Sequence, residues 1–172
     1  NRTAAVIDAD MRPDELAVQG YFLSRAYGNA MIGPERNGIG FAVLTALQQL
    51  TGNIFPHDDH GVGWLTTAQT RSELFAQLQR EIAGRSTELK DRQLIEQCQA
   101  ITMSKRGRPD AEKGFRDDLV LARGIAGMIR KLRGLGAQTT SVAGGQDSST
   151  IQRLSEEQVS GIYRPRTRVA GR

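Results

Sequence analysis

Ala30-Met31-Ile32-Gly33-Pro34-Glu35-Arg36-Asn37-Gly38-Ile39-Gly40 is the stretch that decides the fold. Its first four residues form a short apolar run of the kind that makes a buried strand, and they deliver Glu35 just past the strand's end. A glycine-marked turn follows, then a helix through Val43, Leu44, Leu47 and Leu50 that Gly52 ends. Upstream, Thr3 to Ile7 is rich in small and β-branched residues and reads as a strand stopped by Asp8 and Asp10. Pro13 suits the first turn of a helix running from about Asp14 to Tyr27, with Leu16, Phe22, Leu23 and Ala26 as its apolar face and Gly28-Asn29 as its stop. Strand, helix, strand, helix in that order argues for an α/β domain with parallel pairing in its sheet.

Downstream, Asn53 to Pro56 is a second strand-like piece, and His57-Asp58-Asp59-His60-Gly61 is a loop by composition. Trp64-Leu65-Thr66-Thr67 leads into an amphipathic helix from Thr70 to Ala83, with Leu74, Phe75, Leu78 and Ile82 at helical spacing. A shorter helix around Asp91 to Gln97 precedes a strand at Ile101-Thr102-Met103 and a turn at Gly107-Arg108-Pro109-Asp110. The last helix carries Leu119, Ala122, Ile125, Ala126, Ile129 and Leu132 as its expected core face. Residues 1–134 therefore read as one domain. Residues 135–172, with Gly144-Gly145, many Ser and Thr, and Arg164, Arg166, Arg168 and Arg172, read as a mostly disordered basic tail.

The 172 residues suffice for one domain with a proper core. Net charge is +4, which suits a polyanionic partner without requiring one. Cys98 is the single cysteine, so an intramolecular disulfide is excluded, and its neighbours Leu94, Ile95 and Ala100 make it a small buried hydrophobe. No apolar run reaches membrane-spanning length, and the opening residues are organised unlike a signal peptide, so the expectation is an intracellular protein without a membrane partner.

Asp117 and Asp118 open the last helix. Carboxylates before an apolar helical face are either N-caps or cation ligands, and the spacing leaves both open. Glu35 lies where sites gather in open α/β sheets, past a strand's carboxyl end. Acids arriving from different elements are what two-metal phosphodiester hydrolysis needs, because divalent cations about 4 Å apart must be held by oxygen ligands. Lys105, Arg106 and Arg108 form a basic turn suited to phosphate contacts, with a solvated turn as the alternative. The His57–His60 cluster reads as a hydrated loop rather than a metal site, and Trp64 as core rather than a base-stacking platform. No Gly-x-x-x-x-Gly-Lys-Ser/Thr motif occurs, so this chain carries no P-loop ATPase.

The run Asn29 to Gly40, then Gly63-Trp64-Leu65-Thr66-Thr67, then Gly114-Phe115-Arg116-Asp117-Asp118-Leu119-Val120, resembles the carboxyl-terminal nuclease domain of tailed-phage terminase large subunits across roughly residues 3–133. The resemblance implies an RNase H-like fold, a mixed sheet flanked by helices. It also implies an endonuclease dependent on Mg²⁺ or Mn²⁺ that cuts concatemeric double-stranded viral DNA during packaging in the host cytoplasm. Glu35 matches the family's second acidic ligand, and Asp118, with Asp117 beside it, the third. The first, an Asp on a strand ahead of the one Ala4 to Asp8 resembles, has no counterpart here; that strand is expected in a segment outside this chain, and Asp8 is the substitute candidate, with a place in a hairpin turn as the favoured alternative role. Implied partners are an ATPase domain of the same large subunit, the small terminase subunit and the portal protein. Two rival readings are a RuvC-like junction resolvase and a non-catalytic module that binds DNA or docks on the portal.

Overall fold

The computed structural model describes residues 3–57, 61–105 and 107–134. Its elements are α1 (Pro13–Ala26), α2 (Gly40–Leu50), α3 (Ala68–Ala83), α4 (Arg92–Gln99), β1 (Ile101–Met103), β2 (Pro109–Ala111) and α5 (Asp118–Leu132). Helices and strands are thus mixed, as expected of the α/β class. The sheet is more fragmentary than the alternating pattern suggests. β1 and β2 pair antiparallel, with Thr102 opposite Asp110, and parallel pairing occurs as single bridges, Ile32 with Ile54 and Glu35 with Trp64. Thr3 to Ile7, expected as a strand, joins no ladder. It makes no backbone-to-backbone hydrogen bond with a described residue; the Tyr27 hydroxyl donates to Ala4 O at 3.4 Å, and strand character requires a partner strand for the peptide groups.

Local chemistry sets the helix ends. Proline opens α1, and the Arg12 amide donates to Glu15 Oε2 at 3.0 Å. Thr67 and Thr70 cap α3 reciprocally: the Thr70 amide donates to Thr67 Oγ1 at 3.1 Å, and the Thr67 amide to Thr70 Oγ1 at 2.7 Å. Asp91 caps α4 by accepting from the Leu94 amide at 2.8 Å.

The core has three clusters, two of which share Phe75. Ala17 of α1 meets Leu44 and Leu47 of α2 and Ile54. Phe55, Trp64 and Leu74 pack on Ile125 and Met128 of α5, and Leu78 and Leu94 pack on Leu119 and Val120. Trp64, 2% exposed, is core as read from the sequence, and half-buried Cys98 borders the third cluster.

Two helix faces differ from the periodic reading. On α1, Leu16 and Phe22 are exposed, while Ala17 and Ser24 are buried. On α5, Ala122, Ala126 and Leu132 are exposed; the buried face instead includes Arg123, Gly124, Gly127 and Met128. The cause is α3. A Cβ on Gly124 would lie 2.0 Å from Leu74 Cδ2, so only glycine admits Leu74 against the α5 backbone. Arg123 turns inward because Glu81, 4% exposed, stands on α3 to accept its hydrogen bond at 3.1 Å. Apolar periodicity does not register a buried ion pair.

Candidate functional site

Glu35 is fixed by its neighbours' backbone. The Trp64 amide donates to Pro34 O at 2.7 Å, and the Arg36 amide donates to Trp64 O at 2.8 Å. Asn37 then clamps the same stretch through its side chain, donating from Nδ2 to Thr66 O at 2.7 Å and accepting from the Thr66 amide at 3.0 Å. The turn closes tightly on Glu35: a Cβ on Gly40 would sit 2.2 Å from the Glu35 carbonyl oxygen. The glycine-marked turn of the sequence therefore has a definite task, to let α2 begin directly against Glu35. The Glu35 carboxylate is half-buried and has no hydrogen-bond or ion-pair partner among the described residues.

The segment bearing Glu35 touches the helix bearing Asp118. A Cβ on Gly33 would meet Ile129 Cδ1 at 2.1 Å and Ile125 Cγ2 at 3.7 Å. Asp118 is the first residue of α5, exposed and without a side-chain partner among the described residues. Its position puts a carboxylate at the positive end of the helix dipole, where negative charge is favoured.

Asp117 behaves differently from its neighbour. It occupies the N-cap position of α5, yet its side chain does not cap the helix. Gln97 of α4 does so, its Oε1 accepting from the Leu119 amide at 2.9 Å. Asp117 instead pairs with Arg71 of α3, both side chains more than four-fifths buried. Arg71 also donates from Nε to Pro109 O at 3.0 Å, pairs with Asp110 at 3.3 Å, and lies over the Phe75 ring with its guanidinium carbon 5.0 Å from the centroid. Arg71 thus joins α3, β2 and the start of α5. Sequence reasoning missed it because its partners stand 38 to 46 residues away.

Of the basic turn, Lys105 and Arg108 are exposed between β1 and β2, and Arg106 lies outside the described residues. The hairpin is tied to Asp117 through Asp110 and Arg71. Asp8 is exposed in the extended amino-terminal stretch. His57 packs edge-on against Trp64 and Phe55, with ring centroids 5.6 and 6.0 Å apart, while residues 58–60 and the tail from residue 135 lie outside the described set.

Glu35 and Asp118 each offer hard oxygen donors, the type that Mg²⁺ or Mn²⁺ takes, and neither is paired with a cationic side chain among the described residues. Asp117 is committed to Arg71. Among the described residues no group of three or more His, Cys, Asp or Glu stands close enough to hold a metal ion together. No described helix is long and apolar enough to cross a membrane. Comparison with protein-family models finds no match, and comparison with curated proteins finds no relative.

Proposed function

We propose that the chain is a divalent-cation-dependent endonuclease acting on double-stranded DNA, with an RNase H-like arrangement of the kind the terminase nuclease resemblance implies. The supporting observation is a pair of carboxylates, Glu35 and Asp118, without partners among the described residues, carried by a segment and a helix that pack together where Gly33 meets Ile125 and Ile129. Glu35 and Asp118 would hold Mg²⁺ or Mn²⁺. The bound cation supplies Lewis-acid stabilisation of the phosphoryl oxygens and lowers the pKa of a coordinated water. Asn37 and Gly40 hold Glu35 in place, Arg71 fixes Asp117 and with it the start of α5, and Lys105 and Arg108 offer phosphate contacts that position a duplex without reading its sequence. In a packaging motor the partners would be an ATPase domain of the same large subunit, the small terminase subunit and the portal.

A second reading, a non-catalytic module that binds DNA or docks on the portal, is favoured by one observation: neither Glu35 nor Asp118 belongs to a group of three or more possible metal ligands among the described residues. Nicking of supercoiled plasmid in Mn²⁺ separates the two, with Mn²⁺ binding followed in parallel by electron paramagnetic resonance. The nuclease reading expects cutting that Glu35→Ala and Asp118→Ala each reduce at least a hundredfold, with weakened Mn²⁺ binding and unchanged thermal midpoints. Undiminished cutting by Asp118→Ala would sink it. Salt-sensitive duplex binding with no cleavage in any metal would establish the module, and preference for four-way junctions over linear duplex would redirect the assignment to a RuvC-like resolvase.

A further inference from the structure

The loop that joins β2 to α5, Glu112 to Arg116, is held at both ends and open in between. The Glu112 amide donates to Ala100 O at 2.9 Å, and beyond the loop Asp117 is engaged by Arg71 while its carbonyl accepts from the Leu121 amide at 2.8 Å. Within the loop the Phe115 amide donates to Glu112 O at 2.9 Å, closing a turn through Gly114, whose φ of 94° lies in the left-handed region that favours glycine. A Cβ on Gly114 would meet nothing within 4 Å, so the glycine answers the turn rather than crowding, and the space beside it is open.

This turn leaves Lys113, Phe115 and Arg116 exposed, Phe115 to 58%. A single exposed apolar side chain is ordinary on a protein surface. Phe115 is set apart by its surroundings. Lys113 and Arg116 bracket it in the chain, and Asp118 follows three residues later, which limits the separation of the Phe115 and Asp118 Cα atoms to about 11 Å. Lys105 and Arg108, also exposed, add positive charge from the hairpin turn at the other end of β2. Two of the nearby acids that would offset these cations, Asp110 and Asp117, are both engaged by Arg71, so Glu112 and Asp118 remain as the opposing charges.

A ring between cations does what cations alone do not. Ammonium and guanidinium groups hold the phosphates of any duplex, whereas an aromatic ring stacks only on a base whose face is free. An apolar protein segment laid over Phe115 would leave Lys113 and Arg116 unmatched; a nucleotide strand supplies a flat base and a negative charge on each side of it. Because the loop is tied down at Glu112 and Asp117, little ordering is needed to present the three side chains together.

We propose that Lys113, Phe115 and Arg116 form a contact for an unpaired DNA strand beside Asp118. Phe115 stacks on one base, and the flanking cations take the phosphates on either side of it. The choice of DNA as ligand rests on the nuclease reading and narrows it, from a duplex held by its backbone to a strand that is locally open, at an end, a nick or a melted step, where it meets the acidic site.

The test uses the full 172-residue chain in EDTA, so that binding is measured without cutting. The probes are a fluorescein-labelled oligothymidylate of about twelve nucleotides, within the site sizes of single-strand binders, and a mixed-sequence duplex of the same length. Fluorescence anisotropy is expected to show saturable binding of the single strand, at least fivefold tighter than the duplex. Phe115→Ala should weaken single-strand binding about tenfold, the effect of losing one stacked base, and reduce the preference over duplex to less than twofold. Phe115→Leu, which keeps apolar bulk without the ring, should behave as Phe115→Ala, whereas Phe115→Trp should retain the parental affinity. Replacing Lys113 and Arg116 together by alanine should lower the slope of log affinity against log salt by about 1.4, the share of two phosphate contacts on a single strand.

Parental single-strand affinity in Phe115→Leu, or a duplex bound as tightly as the single strand, would overturn the proposal; binding indifferent to Phe115 would belong to the arginines of residues 135–172 instead. No saturable binding of either probe would also overturn it and leave Phe115 to a protein partner. The contact and the nuclease reading fail separately. Nicking that Asp118→Ala abolishes, with parental binding by Phe115→Leu, leaves a nuclease without this contact; Phe115-dependent binding without nicking leaves the contact without the nuclease.

Discussion

Replacing Glu81 by alanine tests the principal electrostatic contact of the fold. Glu81 is 4% exposed and accepts hydrogen bonds from Arg130 Nη2 at 2.8 Å, Arg123 Nη2 at 3.1 Å and Gln77 Nε2 at 3.2 Å. Removing it leaves Arg123, with a side chain only 8% exposed, charged and without its carboxylate. Breaking a buried pair in this way costs about 3–5 kcal/mol, because the remaining charge cannot recover its hydration. At roughly 4 °C per kcal/mol, the thermal midpoint should fall by about 12–20 °C. Replacing both partners, Glu81→Met with Arg123→Met, removes the desolvation cost along with the attraction and should return stability to within about 1–2 kcal/mol of the parent. Arg130, 31% exposed, can reach water in that variant.

The same site gives a pH signature. Burial pushes the Glu81 carboxyl up, but the Gln77 and Arg130 hydrogen bonds and the charges of Arg123 and Arg130 outweigh it and hold the group below its ordinary value. A depressed carboxyl contributes its stability above the unfolded-state value of about 4.3 and loses it as pH falls through the lower folded value. Urea midpoints measured from pH 7 down to pH 2 should therefore decline more steeply below about 4.3 in the parent than in Glu81→Ala. A Glu81→Ala variant that loses less than about 1 kcal/mol, or a double variant as unstable as the single one, would refute the reasoning.

Three further outcomes follow from the geometry. Gly40→Ala places a Cβ against the Glu35 carbonyl and should cost about 1–3 kcal/mol, as overpacking against backbone does, while lowering Mn²⁺-dependent nicking; unchanged stability and unchanged nicking would mean the close approach is unimportant. Arg71→Lys should recover little of the stability lost in Arg71→Ala, since one ammonium cannot serve Pro109 O, Asp110 and Asp117 with the geometry of a guanidinium; urea denaturation showing full rescue by lysine would count against it. Burial raises the Cys98 thiol pKa more than the nearby Arg123 charge lowers it, so iodoacetamide at neutral pH should label native protein far more slowly than urea-unfolded protein, and equal rates would contradict the half-buried placement.

Helices α2 and α3 were legible because their signals are local. Val43, Leu44 and Leu47 repeat at helical spacing, and Thr67 with Thr70 forms a reciprocal cap that needs nothing from the rest of the chain. The turn that positions Glu35 was visible as Asn37, Gly38 and Gly40, although its purpose, clearance for the Glu35 carbonyl, required coordinates. Thr3 to Ile7 shows the opposite case. Its composition favours a strand, but a strand exists only with a neighbour, and no described segment pairs with this one.

The acidic pair at α5 shows most clearly how local signals divide when long-range partners enter. From sequence, Asp117 and Asp118 are interchangeable candidates for capping or for holding a cation. Two distant residues separate them: Gln97 takes over the cap and Arg71 engages Asp117, which leaves Asp118 available at the helix start among the described residues. A carboxylate already neutralised by a nearly buried guanidinium is a poor cation ligand, because binding would require giving up the Arg71 pair. If the chain holds a divalent cation, substitution of Asp118 should therefore weaken cation binding without unfolding the protein, whereas substitution of Asp117 should loosen the junction of α3, β2 and α5 first. Measuring Mn²⁺ affinity and urea midpoint on Asp117→Asn and Asp118→Asn side by side resolves the two roles, and equal losses of affinity at unchanged stability would show that Arg71 releases Asp117 to the metal.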